Sequence, residues 1–256
     1  MSARPDPNRI GGFDWTQRTK GRLTRRERLH LLGSVVNSQR DYLLHRLRRD
    51  RPSATPRPGE REIRPPDSLF AREVEVAAAE QNPVIRTHSY RSWIFGRALA
   101  DVDGVSVDEE LLFAGTLLHD HGIDPVVAGE DFTLRSARRA TECARAADLD
   151  RERTATLADA ITVHTTPGIS VEHDGALGYY IQNGALVDIA GNRIWDLSAT
   201  LIDDTLARYD RRGFTRGLGG HFTAEAKAVR GGRFSMLRSC GFVPFMYTAP
   251  FDKGQK

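Results

Sequence analysis

The sequence predicts an all-α fold, a helical bundle with an N-terminal helical extension. Apolar residues recur at steps of three and four in most segments, as in amphipathic helices, and alternating strand-like patterns are rare. The composition, 39% hydrophobic and 28% charged, is that of an ordinary globular protein. No apolar run approaches the roughly 20 residues needed to cross a bilayer, and the first residues lack the apolar stretch of a secretory signal.

The cysteine content and the charge distribution indicate where in the cell the protein works and what it binds. The two cysteines, Cys143 and Cys240, fit neither a disulfide framework nor a zinc ribbon, which favours a reducing, cytoplasmic location. Residues up to Asp67 carry 16 Lys and Arg against 8 Asp and Glu, a net charge of +8, so the remainder carries −5. A basic segment can bind nucleic acid or an anionic surface. A solvated helix face is the commoner explanation, so nucleic acid is not an expected partner.

The N-terminal part, residues 1–66, is predicted to be a basic arm, a helix and a Pro-rich linker. Residues 1–22 lack periodicity and indicate a loose arm, residues 23–49 have helical periodicity, and residues 50–66 contain five prolines. A boundary near residue 67 follows, with a catalytic domain over 67–256. The apolar stripe of the helix comprises Leu29, Leu32, Val36, Leu43 and Leu47, widened by Leu31, Val35 and Tyr42. We expect the helix to dock on an apolar surface; covering the domain, forming a homo-oligomer and gating a pocket are all open roles.

The second part is predicted to be a series of helices. The first begins at Asp67 or Ser68 and ends at Glu80, before Asn82-Pro83. The second begins near Thr87, and the third runs from about Val107 to Gly122. Further helices are expected over 133–147, 151–164, 174–191, 196–210 and 222–239, with Asp174 as a helix cap and an extended tail from Gly241.

The segment 117–120, Leu-Leu-His-Asp, is the most informative about function. Adjacent residues on a helix point about 100° apart, so both side chains can bind one ion only where the helix ends, and Gly122 is a good terminator. A buried carboxylate needs a partner, which a divalent cation supplies. His88 lies upstream near a helix start, and Asp188 lies downstream inside an apolar helix. Together these residues are candidates for a metal site.

This pattern resembles the HD superfamily of metal-dependent hydrolases. The segment 87–91 (THSYR) is similar to the H-S-x-R signature of its cyanamide-hydratase-like branch, 117–120 (LLHD) to its L-L-H-D core, and 185–191 (ALVDIAG) to its A-x-x-D-x-x-G helix. The resemblance covers roughly residues 70–250. It implies that Zn, Fe or Mn is held by four ligands: His88, His119, Asp120 and Asp188.

The resemblance also implies a hydrolase or hydratase, in which a metal-bound hydroxide attacks a small nitrile-like or nitrogenous substrate. Asp120 would hold the ion at the catalytic centre. Arg91, one helical turn after His88, would orient the substrate or pair with a ligand carboxylate. The resemblance places His164 in the pocket, where it would hydrogen-bond the substrate, transfer a proton or bind a second metal.

Two other activities remain open. HD phosphohydrolases act on nucleotides or phosphate esters, but the loop from His121 to Asp131 has no Lys or Arg and is acidic, which disfavours a phosphate substrate. A di-iron HD oxygenase would need more ligands than four. His121 itself departs from the family pattern, in which an apolar residue often follows the HD pair.

Overall fold

The computed structural model describes residues 8–48, 51–55, 60 and 63–252, and this part of the chain is all-α, as predicted. The helices are α1 (Phe13–Thr19), α2 (Arg25–Arg48), α3 (Leu69–Ala79), α4 (Pro83–Asp103), α5 (Glu109–Leu118), α6 (Phe132–Ala146), α7 (Arg151–Val163), α8 (Val171–Asp174), α9 (Ala176–Ala190), α10 (Ala199–Arg208), α11 (Phe214–Ala228), α12 (Arg233–Ser239) and α13 (Phe242–Met246). The described residues form no strand. None of their helices combines the length and apolarity needed to span a bilayer.

Helices α4 and α9 pack closely at the centre, because glycines lie at their contact. A Cβ atom on Gly184 would lie 2.1 Å from the backbone oxygen of Ser92, and one on Gly96 would lie 2.7 Å from that of Tyr180. Helices α3, α5, α6 and α7 pack around this pair. The largest buried side chains of this core include Phe95, Leu99, Leu112, Phe113, Leu117, Leu118 and Tyr180. The close approach of α4 and α9 brings the predicted site residues His88 and Asp188 together.

Helix ends follow local capping. Ser68 accepts a hydrogen bond from the backbone N–H of Ala71 at 3.1 Å and starts α3 close to the predicted position. The prediction that a helix starts near Thr87 is wrong by one turn. Asn82 caps α4, accepting from Val84 N–H at 3.0 Å, and Pro83 occupies the first turn, where its missing N–H costs nothing.

The C-terminal predictions are partly wrong. The single helix expected over 222–239 is two helices, α11 and α12, separated by a turn at Gly231 and Gly232. The tail expected to be extended from Gly241 contains the short helix α13. Asp174 is not the N-cap of α9, a position that Gly175 occupies; its carboxylate accepts from Ser170 N–H at 3.0 Å, at the start of α8, and from Arg9 at 2.6 Å.

The expectation of a loose arm is wrong for residues 8–22; residues 1–7 lie outside the described part. Helix α1 packs on α6 and α7, and Trp15 is buried. The Arg9 guanidinium also donates to the Asp159 carboxylate, which in turn accepts from Phe13 N–H at 2.9 Å. This segment is therefore held against α7, the helix that carries His164 at its end.

Helix α2 has the predicted extent, but it docks through the residues expected only to widen its apolar stripe. Its buried apolar residues are Leu31, Val35 and Tyr42, of which the first two pack with Met236 and Leu237. Leu29 and Leu47, on the opposite face, are 70% and 78% exposed, and Val36 and Leu43 are also exposed. The helix has two apolar stripes at the same spacing, and only the tertiary fold determines which is covered.

Part of the predicted linker also contacts the body. Ser53 N–H donates to Leu197 O at 2.9 Å, and Ala199 N–H donates to Ser53 O at 2.8 Å. The buried Glu60 carboxylate accepts from Ser198 N–H at 3.1 Å. Residues 49, 50, 56–59, 61 and 62 lie outside the described part. The boundary near residue 67 stays a prediction.

Candidate metal centre

Three helices place the predicted site residues in the interior. His88 lies in the second turn of α4, His119 and Asp120 follow the last residue of α5, and His164 follows the last residue of α7. His88, His119 and Asp120 are at most 1% exposed, and His164 is 6% exposed. The site is therefore formed where α5 and α7 end against α4, deep in the protein.

The Asp120 carboxylate lies at the centre of this group. Its Oδ2 atom is 3.8 Å from His88 Nε2 and 3.4 Å from His119 Nε2, and its Oδ1 atom is 3.7 Å from His164 Nε2. The Nε2 atoms of His88 and His119 are buried without a hydrogen-bond partner among the described residues. Ligand atoms of His88, His119 and Asp120 all lie within 4.8 Å of one another, so these residues can hold a metal ion.

The end of α5 lets His119 and Asp120 share this space. Helix α5 stops at Leu118, and a short 3-10 turn follows over His121–Ile123. Gly122 allows the turn to contact α6 closely: a Cβ atom there would lie 2.4 Å from Phe132 O, and its N–H donates to Ser136 Oγ at 2.9 Å. The sequence predicts that Gly122 terminates the helix, but α5 ends before it, and Gly122 instead lies within the 3-10 turn and allows its close contact with α6.

Asp188 lies beside His88, on the other side of the imidazole ring from Asp120. Its Oδ2 atom is 2.6 Å from His88 Nδ1 and 2.9 Å from Arg91 Nη2, and its Oδ1 atom is 2.8 Å from Arg91 Nε. Arg211 also donates to Oδ1 and to the Asp188 backbone oxygen. The structure brings Asp188 to His88, but not into the group of ligand atoms that surrounds Asp120.

Both arginines beside the site are engaged with protein groups. Arg91 pairs with Asp188, the second of the two roles predicted for it, and also donates to the backbone oxygens of Tyr209 and Asp210 at 3.2 and 2.8 Å. Arg211, which follows α10, was not found from the sequence. It is one of several arginines near a turn, and nothing local distinguishes it from the exposed Arg212.

The environment sets the charges of the site. Burial alone would raise the pKa of the Asp120 carboxyl, but His119 and His164 beside it hold that pKa well below its usual range. Burial lowers the pKa of His119 to about 3, so its imidazole is neutral at physiological pH. For Asp188, Arg91 and Arg211 overcome the opposing effect of burial and lower the pKa far below the ordinary value.

Other polar groups near the HD pair have structural partners. His121, the departure from the family pattern, is half-buried with its Nε2 3.3 Å from Glu80 Oε2. Glu130 accepts from Arg138 at 2.8 Å, and Asp131 accepts from Arg233 at 3.0 Å. Two of the three acidic residues of the loop, Glu130 and Asp131, are thus paired with arginines, which weakens the loop's argument against a phosphate substrate.

An open surface cleft of about 460 Å³ lies away from the metal-site residues, none of which lines it. Its lining residues are Pro65, Glu75, Ala79, Arg86, Tyr90, Arg208 and Tyr209. The Tyr90 and Tyr209 rings stack with their centroids 4.8 Å apart. The cleft is therefore not the candidate site.

Comparison with known proteins does not assign the chain to a family. No protein-family model matches the chain, and no curated protein is significantly similar to it. The resemblance to HD hydrolases stays a prediction, and the buried group of His88, His119 and Asp120 is the observation on which a function can be argued.

Proposed function

We propose that the protein is a metal-dependent hydrolase or hydratase that acts on a small nitrile-like or nitrogenous molecule. One observation carries the proposal: two buried imidazole nitrogens without a partner, in His88 and His119, flank the buried carboxylate of Asp120. Leaving such groups unsatisfied in the interior costs about 1–3 kcal/mol each. A cation between them would satisfy all three at once.

The donor set fits a divalent cation. Neutral imidazole and carboxylate suit Zn, Fe or Mn. The ion would supply Lewis acidity and would activate water for attack on an electron-poor carbon. Asp120 contributes the negative charge that such an ion requires, since its low pKa keeps the carboxylate ionised at physiological pH.

The surroundings favour a small substrate. His88, His119 and Asp120 are almost fully buried, which suits a molecule of a few atoms better than a nucleotide. The two guanidinium groups that the described residues place beside the site, Arg91 and Arg211, are both bonded to Asp188. A phosphate ester needs positive groups directed at its oxygens, so the phosphohydrolase alternative has less support. Addition of water across a C≡N bond would yield an amide.

Metal content tests the proposal. Protein purified without chelator, analysed by plasma mass spectrometry, should hold about one Zn, Fe or Mn per chain, and Asp120→Asn should lose it. Glu60→Gln is a control, because this carboxylate is also buried but accepts from Ser198 N–H outside the site. The metal-loaded protein would then be assayed with nitriles, cyanamides, amides and phosphate esters.

Three results would contradict the proposal. Wild-type protein that takes up no metal on reconstitution would exclude a metal-dependent enzyme. About two irons per chain would instead favour the di-iron oxygenase. Turnover of phosphate esters alone would favour the phosphohydrolase.

A further inference from the structure

The side of each imidazole that faces away from Asp120 identifies its protonated nitrogen. His119 Nδ1 lies 2.7 Å from Thr116 O, and His164 Nδ1 lies 2.6 Å from Ile161 O. A carbonyl oxygen can only accept a hydrogen bond, so each Nδ1 carries the proton and donates it. The two rings are oriented in the same way. In each case the acceptor is the backbone carbonyl three residues earlier, in the last turn of α5 for His119 and of α7 for His164.

His88 is oriented in the same sense by a different acceptor. Its Nδ1 lies 2.6 Å from Asp188 Oδ2, and its Nε2 lies on the side of Asp120. The carboxylate of Asp188 accepts a hydrogen bond from Nδ1–H, so in the neutral imidazole the lone pair is on Nε2. In their neutral forms all three imidazoles therefore present an Nε2 lone pair to one carboxylate.

The spacing of these atoms suits one ion. Ligand atoms at about 2.1 Å from a tetrahedral ion lie about 3.4 Å apart. The three Nε2 atoms are 3.4, 3.7 and 3.8 Å from the Asp120 oxygens, which is too far for good hydrogen bonds and equal to the ligand spacing or slightly wider. His164 Nε2 lies as close to Asp120 as His88 Nε2 does, but it approaches Oδ1 rather than Oδ2, and His164 lies outside the group whose ligand atoms are all within 4.8 Å of one another. Binding by all four residues therefore requires His164 to move slightly towards the other three.

Asp188 has no lone pair left that needs a cation. Arg91 donates to both of its oxygens, Arg211 donates to Oδ1, and His88 occupies Oδ2. Two guanidinium groups compensate one carboxylate, whereas the Asp120 carboxylate has no such partner. A carboxylate that accepts the distal N–H of a ligating histidine is a known means of orienting it.

We propose that the ion is held by His88, His119, His164 and Asp120, and that Asp188 is a positioning residue that orients His88. This assignment rests on the proposed function, because it requires a bound cation. It differs from the set that the HD resemblance implies, in which Asp188 is a ligand and His164 is not. The proposed set binds the ion through three imidazoles, and the set implied by the HD resemblance binds it through two.

X-ray absorption at the zinc edge of the zinc-reconstituted full-length protein counts these imidazoles. We expect about three in the wild type, about two in His164→Gln, and about three in Asp188→Asn. Loss of the orienting carboxylate should weaken zinc binding by about 10- to 100-fold without removing an imidazole. Circular dichroism would verify that each variant is folded.

The number of imidazoles bound to zinc in the wild type distinguishes the two ligand sets even if a variant does not fold. Two imidazoles in the wild type, or an unchanged count in a folded His164→Gln, would overturn this assignment and leave the metal-dependent function standing. Wild-type protein that binds no zinc would overturn both.

Discussion

Three buried carboxylates, those of Asp120, Asp188 and Glu225, differ in how their charge is compensated. Asp188 pairs with two guanidinium groups, whereas the described residues place only imidazoles, those of His88, His119 and His164, beside Asp120. Glu225 accepts from Phe132 N–H at 3.0 Å through Oε1, and its Oε2 atom has no hydrogen bond among the described residues but lies 3.6 Å from Arg135 Nη2. Burial and the charge of Asp131 raise the pKa of Glu225 to about 7.

Glu225 should make stability depend on pH. Its pKa is raised in the folded state, so between about pH 4.5 and pH 7 the folded protein binds more protons than the unfolded chain. Its stability contribution is therefore fully present below pH 4.5 and is lost as pH rises through 7, by on the order of 3 kcal/mol. Glu225→Gln keeps an acceptor for Phe132 N–H but cannot titrate.

Urea unfolding at pH 5 and pH 8 measures this effect. Glu225→Gln should lose less stability than the wild type over this interval. Glu152→Gln, at an exposed position with the same change in chemistry, should follow the wild type. Equal losses in Glu225→Gln and the wild type would mean that Glu225 ionises normally.

At the scale of elements, the contact between α4 and α9 determines whether the site forms. These helices carry His88 and Asp188, and glycines let their backbones approach each other. A Cβ atom on Gly184 would lie 2.1 Å from Ser92 O and 2.8 Å from Gly96 N. Both neighbours are backbone atoms, so neither can move away without shifting a helix.

Gly184→Ala should destabilise the protein by about 3 kcal/mol or more, because it overpacks a rigid contact. Gly33→Ala is the control: this glycine is exposed in α2, and an added Cβ would meet nothing within 4 Å. It should stabilise by about 0.5–1 kcal/mol, the ordinary helix preference for alanine. Urea titration measures the free energies of unfolding of both variants and of the wild type. A neutral Gly184→Ala would show that α4 and α9 can separate at little cost.

The elements that could be predicted from the sequence are those with local signals. Apolar periodicity and capping residues predict α3, α5, α6 and α7 closely, and the His119-Asp120 pair stands out because it ends an apolar helix. The exposed stripe of α2 and the contact of Asp188 with Arg211 could not be predicted, because both depend on which distant surface lies opposite. Arg211 approaches Asp188 only through the tertiary fold.

At the scale of the whole molecule, distant segments converge on the buried Arg233 of α12. Its guanidinium donates to the Thr162 oxygen at 2.6 Å, and at 3.0 Å to Thr166 Oγ1 and to Asp131 Oδ2. Thr162 and Thr166 flank His164 in the sequence, and Asp131 caps α6. The C-terminal helices therefore support the turn that carries one of the proposed ligands.

A double-mutant cycle tests this coupling. Arg233→Met should cost about 3–5 kcal/mol, because it leaves the Asp131 carboxylate buried without its charge partner. Asp131→Asn keeps the helix cap but removes the charge, so the double variant should cost at least about 1 kcal/mol less than the sum of the single ones. Arg238→Met, exposed on the same helix, should stay within about 0.5 kcal/mol of the wild type. Urea unfolding gives the free energies of unfolding of the wild type, the two single variants and the double variant, and that of the Arg238→Met control. Additive losses in the cycle would show that the two side chains act independently and that α12 supports the His164 turn only through packing.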